Sequence, residues 1–336
     1  MTSVPGNQPD QPSGPAPSNT EANTEIAEAA THRLSAAKRQ ITRRRYKETW
    51  EIFRETKIGV LGLSVIVFFA LMAIAHPLLM LTIWDEATYD PVTGYDLTQT
   101  EQPAPPSRKH PLGTDPLGRD VLSQLMSSTR SEFLLGVVAA VVTVAIATFV
   151  GAVSAYFGGV VDAFFMRLAD LVVSLPGISL LIVLTALFDI NLLGLGVVLG
   201  ILGGFGGVAI VLKSQALSIT VKPYIESARV AGGGRFHIIF VHVIPNLLPL
   251  AFLYMMFTVT AAIFSEAVLS FFGLLNIRMS WGIMIHTANT AGYLLGGTRY
   301  WWLIVPAGAS ITLLCSTFYL VGRALDEVFN PRLRRR

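Results

Sequence analysis

The sequence predicts an all-α membrane protein with six transmembrane helices and both termini in the cytoplasm. Three observations carry that prediction. The first is composition: of 336 residues, 52% are hydrophobic and 14% charged, with a mean hydropathy of +0.56, whereas soluble domains carry about 25% charged residues. The second is six apolar stretches, at 58–80, 133–156, 164–188, 192–212, 247–272 and 301–321, each near the roughly 20 residues a spanning helix needs. The third is charge at the two ends. Nine Lys or Arg against three Glu lie between Arg33 and Lys57, and the chain closes on Arg332, Arg334, Arg335 and Arg336. Basic flanks mark the cytoplasmic side, and two cytoplasmic ends demand an even number of spans.

The region before the first span is read as a basic cytoplasmic tail, 1–45, rich in Pro, Ser, Asn, Gln and Thr. It holds too little apolar surface to offset its ordering entropy and is expected to be disordered. Its basic run could in principle bind nucleic acid, but its place beside a span assigns it to the membrane surface. Tyr46, Trp50 and Phe53 recur at helical spacing, which suggests a short amphipathic helix lying on lipid. The 46–132 segment then comprises this helix, the first span and an external loop with eight acidic and four basic residues between Asp85 and Glu132.

Within that loop, His110-Pro-Leu-Gly-Thr-Asp-Pro-Leu-Gly-Arg-Asp120 reads as a turn followed by a capped helix. Asp115 is placed to cap, with Pro116 at the first helical position. His110, Asp115 and Asp120 fit no metal-ligand spacing, so no metal site is expected. Asp115, Arg119 and Asp120 are expected to fix the loop against the spans. In the fourth span, joined to the third by a tight hairpin, glycine is the notable residue: Gly194, Gly196, Gly200, Gly203, Gly204, Gly206 and Gly207. Pairs four apart let helix backbones approach closely, and the Gly-Gly-Phe-Gly-Gly run weakens the helix. A movable helix near a pathway and plain static packing both fit this pattern.

The loop from Val221 to Pro245 is polar and basic at its start, between two apolar runs. Pro223 suits a first helical position; Tyr224, Ile225 and Ala228 share a face, with Glu226 and Arg229 beside them. Gly232, Gly233 and Gly234 end that helix, and a second short helix, 235–242, leads to Pro245. Glu266 is the one acidic residue inside the fifth span, where carboxylates are costly and point to function. A structural or gating role is expected for it rather than direct substrate contact. The single Cys315 sits deep in an apolar run, so neither a disulfide nor a thiol metal site is expected.

Glu226-Ser227-Ala228, then Gly232, then Ile244-Pro245, resemble the E-A-A-x-x-x-G…L-P signature of permease subunits of ATP-binding-cassette (ABC) importers. His110 to Asp120 resembles the H-x-L-G-T-D-x-x-G-R-D segment of the C-type permease of dipeptide, oligopeptide and nickel importers. Ala155-Tyr-Phe-Gly-Gly with Asp162, Arg167 and Asp170 is similar to that subfamily too, as are Ser265 to Leu274, Ser280-Trp281-Gly282, Trp301-Trp302 with Pro306, and Asn330-Pro331-Arg332-Leu333. The resemblance spans about Tyr46 to Arg336. It departs at Phe205 and Lys213, where the family often has Trp and an Arg-rich run, and at Asn276-Ile-Arg-Met, which replaces the usual prolines.

The resemblance implies a type I ABC-importer permease fold, with a core domain at 133–322, a cytoplasmic coupling loop at 213–246 and a basic tail at 323–336. It implies a multi-pass protein of the plasma (inner) membrane that moves di- or oligopeptides, with nickel or another small solute as the alternative. Its partners would be membrane lipid, a B-type permease, two ABC ATPase subunits and an extracytoplasmic substrate-binding protein. Tyr224, Ile225, Glu226, Ala228 and Gly232 would form the surface that docks on an ATPase.

No catalytic residues are assigned. The 207–214 stretch lacks the second glycine of a phosphate-cradling loop, and no G-x-S-x-G, H-E-x-x-H or paired-Cys motif occurs. The chain is expected to be a non-enzyme that binds no cofactor itself, ATP and Mg²⁺ residing on the partner ATPases. A stand-alone secondary transporter, the rival class, tends to show repeated halves with ionisable groups at the midplane; only Glu266 offers itself for that role.

Overall fold

The computed structural model describes residues 50–96 and 101–329. The tail 1–45, Tyr46 and Asn330 to Arg336 lie outside the described residues. The chain divides into a unit Met1–Ile52, of which residues 50–52 are described and helical, and a unit Phe53–Arg336. Among its described residues the second unit is helical with no strand, its one β-bridge pairing Thr114 with Asp120.

Helix α1, Lys57–Thr82, is nearly uniform in hydrophobicity. It lies close against the last helix because two of its residues are glycines. A Cβ on Gly59 would stand 2.7 Å from Ala324 Cβ, and one on Gly62 2.8 Å from Val321 Cγ2. After the short α2, Glu86–Tyr89, and a long loop comes α3, Val121–Phe157, the helix around which the others gather. Its 37 residues rise about 55 Å, well beyond a hydrocarbon core of about 30 Å. The added length comes from its N-terminus. Asp120, not Asp115, is the N-cap, accepting from Ser123 N–H at 2.6 Å. Asp115 instead begins a turn closed by Gly118 N–H to Asp115 O at 3.0 Å.

The stretch expected as one continuous third span is two helices, α4, Gly159–Ser174, and α5, Gly177–Leu187, bent by 86°. Pro176 explains the break. Proline disfavours the helical region for the residue before it and supplies no N–H, and Leu175 is extended at φ −84°, ψ 134°. The fourth stretch is likewise α6, Leu192–Phe205, and α7, Gly207–Thr220, bent by 42° at Gly206, within the glycine run. The four-residue glycine spacing acts as expected between α6 and α3. Cβ atoms on Gly196, Gly200 and Gly204 would fall 3.0, 2.5 and 2.7 Å from Val138, Val142 and Ile146, so one row of glycines receives one row of β-branched side chains.

The loop helix α8, Pro223–Val230, is followed by α9, Arg235–Ile238, a π turn at Ile239–Val243 and α10, Ile244–Phe271. These last three run as one continuous helical stretch, Arg235–Phe271; the π turn precedes Pro245, whose missing N–H falls in the first turn of α10. Helix α11, Trp281–Thr290, is capped by Ser280, and a 3₁₀ segment, Tyr293–Tyr300, leads into α12, Trp301–Phe329. Among the described residues, four helical stretches are long and apolar enough to cross a membrane, and up to six if each bent pair counts as one span.

Candidate functional site

The loop between α7 and α10 is built to present one face. Pro223 opens α8, Glu226 lies in its first turn and Arg229 in its last, the order that suits the helix dipole. Its C-terminus is a Schellman turn: Gly233 N–H donates to Ala228 O at 2.9 Å and Gly232 N–H to Arg229 O at 3.1 Å, with Gly232 left-handed at φ +87°. Ile225 is fully buried, in a cluster with Val153, Ile219, Ile238 and Leu247. That overturns its expected place on the docking surface. A helix of eight residues is too short to stand alone, and Ile225 is the side chain that seats it. The outward face holds Tyr224 at 40% exposure and Val230 at 85%, with Glu226 and Ser227 exposed, Ala228 half-buried and Gly232 exposed. Val230, which the sequence pattern did not single out, is the most exposed large apolar side chain of α8. The Arg229 guanidinium lies 5.6 Å from the centre of the Tyr156 ring, a cation–π contact that ties α8 to the end of α3.

Two further contacts brace this region. Lys213 Nζ on α7 pairs with Asp162 Oδ1 on α4 at 2.5 Å, joining the two bent pairs. Gly151 on α3 packs directly on the α7 backbone, where a Cβ would meet Lys213 N at 2.8 Å. Between the two bends opens a cavity of about 600 Å³, whose lining includes Gly177, Leu181, Leu202, Tyr254, Phe257 and Ser265. Hydrophobicity along the chain gives no sign of it; Pro176 was the signal.

The loop after α2 is held by polar side chains with few partners to spare. Asp115 Oδ1 accepts from Leu117 and Arg119 N–H, both at 2.9 Å, and Oδ2 accepts from Arg119 Nε at 2.7 Å and Gln124 Nε2 at 2.9 Å. Arg119 thus closes on Asp115 within the loop. Asp120 Oδ2 meets His110 Nδ1 at 2.8 Å, and His110 Nε2 meets Asp96 Oδ2 at 3.0 Å. Burial pushes the Asp120 carboxyl above its ordinary range, against the Ser123 and His110 bonds that pull it down. Trp302 Nε1–H donates to Thr114 O at 3.2 Å and Tyr293 O–H to Gln102 O at 3.3 Å, fastening the loop to the last helices. Asp115, Arg119 and Asp120 therefore all sit in one buried polar network.

Glu266 on α10 is fully buried, and Ser270 Oγ donates to its Oε1 at 2.5 Å. The structure brings a second carboxyl to it, Glu132 on α3, also fully buried. Glu132 reads as loop from composition; it becomes core because α3 starts about three turns earlier than the apolar run.

Residues 146–335 match the family described as binding-protein-dependent transport system inner membrane component, and residues 45–106 match the N-terminal TM domain of oligopeptide transport permease C. The chain is 31% identical over 292 residues to the dipeptide transport system permease protein DppC of Bacillus subtilis (strain 168), covering 86% of each. It is 31% identical over 296 residues to the oligopeptide transport system permease protein OppC of the same organism, covering 86% of this chain and 90% of that one. It is also 30% identical over 288 residues to the probable D,D-dipeptide transport system permease protein DdpC of Escherichia coli (strain K12), covering 85% and 91%.

Proposed function

The chain belongs to the family of inner membrane components of binding-protein-dependent transport systems, and from that premise we propose that it is a permease subunit of an ABC importer of peptides. It is a multi-pass membrane protein. In this reading each bent pair is one span, giving six, and both basic termini lie in the cytoplasm by the positive-inside rule. The loop 213–246 then also lies in the cytoplasm, and the long loop before α3 lies outside.

The observation that carries the mechanism is α8. It is seated by Ile225, stopped by Gly232 and turned outward with Tyr224, Glu226 and Val230. Such a helix fits a groove on a partner, and its outward residues with Ala228 and Gly232 are assigned to docking on an ATPase subunit. Because Arg235–Phe271 is one continuous helical stretch, a push on the loop is delivered along α10 into the bundle. ATP binding and closure of two partner ATPases would bias a two-state rearrangement of the spans. A B-type permease would complete the pathway, and an extracytoplasmic binding protein would deliver the peptide. The cavity between the bends is this chain's share of that pathway. Its weakly polar lining suits cargo of varied side chain, so selectivity resides in the binding protein.

Affinity purification from native membrane in mild detergent tests the reading. A second multi-span permease and two P-loop ATPases are expected to co-purify, with a binding protein that takes up peptides. Recovery of the chain alone, or as a homodimer without ATPase, would overturn it.

A further inference from the structure

Two buried carboxyl groups take no part in docking or in the cavity. Glu132, on α3, and Glu266, near the C-terminal end of α10, are both fully removed from solvent, and their carboxyl groups lie within interaction distance of each other. Ser270 donates to Glu266 Oε1; Glu266 Oε2 has no donor, and Glu132 has the backbone N–H of Trp281 nearby without a well-formed hydrogen bond to either of its oxygens. Cys315 approaches from α12, and Trp281 from α11 directs its indole N–H away, to Leu125 O at 3.1 Å. Among the described residues, no Lys, Arg or His forms an ion pair with either glutamate.

An ionised carboxylate can only accept hydrogen bonds. Two of them facing each other in a dry site repel, and of their four oxygens only Glu266 Oε1 holds a hydrogen bond. One proton between them relieves the repulsion and gives one oxygen of each carboxyl a partner, because a protonated carboxyl donates to its neighbour in a short, charge-assisted O–H···O⁻ bond. We propose that Glu132 and Glu266 form a proton-binding site, one proton held between their carboxyl groups and tying α3 to α10. The tie sits at one end of the continuous stretch Arg235–Phe271, whose other end adjoins the docking loop. Separation of α3 from α10 would break it and open both carboxyls to proton exchange. Only this consequence for transport rests on the importer reading; the proton site stands apart from it.

Infrared difference spectroscopy on the full chain, purified with whatever subunits accompany it, reads protonated carboxyls directly through a C=O stretch that shifts on H₂O/D₂O exchange. Wild-type protein at neutral pH is expected to show such a band, and E132Q and E266Q are each expected to lose it. The glutamine amide can donate to the one carboxylate left, which then stays ionised. Absence of the band in wild type, or its survival in both variants, would overturn the proposal. Loss in only one variant would place the proton on a single carboxyl and overturn the sharing. A wild-type band present in choline buffer but abolished by sodium at the same pH would assign a metal cation instead, again overturning it. If a single variant fails to assemble, E132Q/E266Q, which buries no charge, supplies the subtraction. Normal co-purification of ATPases with no wild-type band would sink the proton site and leave the importer reading intact.

Discussion

Replacing Gly232 separates backbone conformation from bulk at the docking loop. The Schellman turn after α8 holds this residue at φ +87°, and a Cβ there meets nothing within 4 Å. The cost of a substitution inside this chain is therefore conformational, about 1–2 kcal/mol for a residue with a Cβ. It is smaller for Asn, which visits the left-handed region, and larger for β-branched Val. A loss of about 1–2 kcal/mol lowers the ratio of formed to unformed turn by a factor of about 5–30. What opens is the pair of bonds from Gly232 and Gly233 to Arg229 and Ala228, while Ile225 still anchors the first turn of α8. The assay is peptide uptake with Gly232→Asn, Gly232→Ala and Gly232→Val, each normalised to the amount inserted in membrane. Uptake is expected to fall in that order, with insertion unchanged. Uptake at the wild-type level by both the Val and the Asn variant would refute the conformational reasoning. Equal failure of both would show that a bound partner fills the space the isolated chain leaves empty.

Gly200→Ala is expected to destabilise the purified protein by about 1–2 kcal/mol, overpacking against Val142 outweighing the helix gain. Gly308→Ala, with nothing within 4 Å, is expected to stabilise by up to about 1 kcal/mol; thermal melting in detergent compares the two. Arg119→Ala should cost about 3 kcal/mol by stripping the buried Asp115 of its cation, read as increased proteolysis of the loop before α3. Trp302→Phe keeps the ring but loses the bond to Thr114 O, at about 1 kcal/mol. Asp90 is held below the ordinary carboxylate range: burial works against it, but hydrogen bonds from Thr93 N–H, Val92 N–H and the Thr93 hydroxyl prevail. Its folded value being depressed, its contribution is present above the ordinary carboxylate range and is lost as pH falls through the folded value. Amide exchange at Val92 and Thr93, corrected for intrinsic rate, should therefore quicken on acidification within that window, and a flat profile would refute the assignment.

Much of this protein is legible along the chain because membranes leave the backbone few options. Apolar runs mark the helices, Pro223 and Gly232 bracket α8, and the glycine spacing of α6 foretells close packing. The Gly-Gly-Phe-Gly-Gly run also foretells a weak point, and the bend falls at Gly206. Pro176 carried an equally local signal for the 86° break, obscured by the unbroken hydrophobicity around it.

What only the tertiary structure decides is which side chains face each other. Composition places Glu132 in a loop and Glu266 alone in a span; packing of α3 on α10 makes them a pair. Periodicity puts Ile225 beside Tyr224 on α8; only the cluster of Val153, Ile219, Ile238 and Leu247 beneath it shows that one anchors and the other faces out. Local sequence determines propensity and hydrophobic burial, which depend on neighbours along the chain. Charge pairing and the facing of a short helix depend on neighbours in space, and those exist only once the helices have assembled.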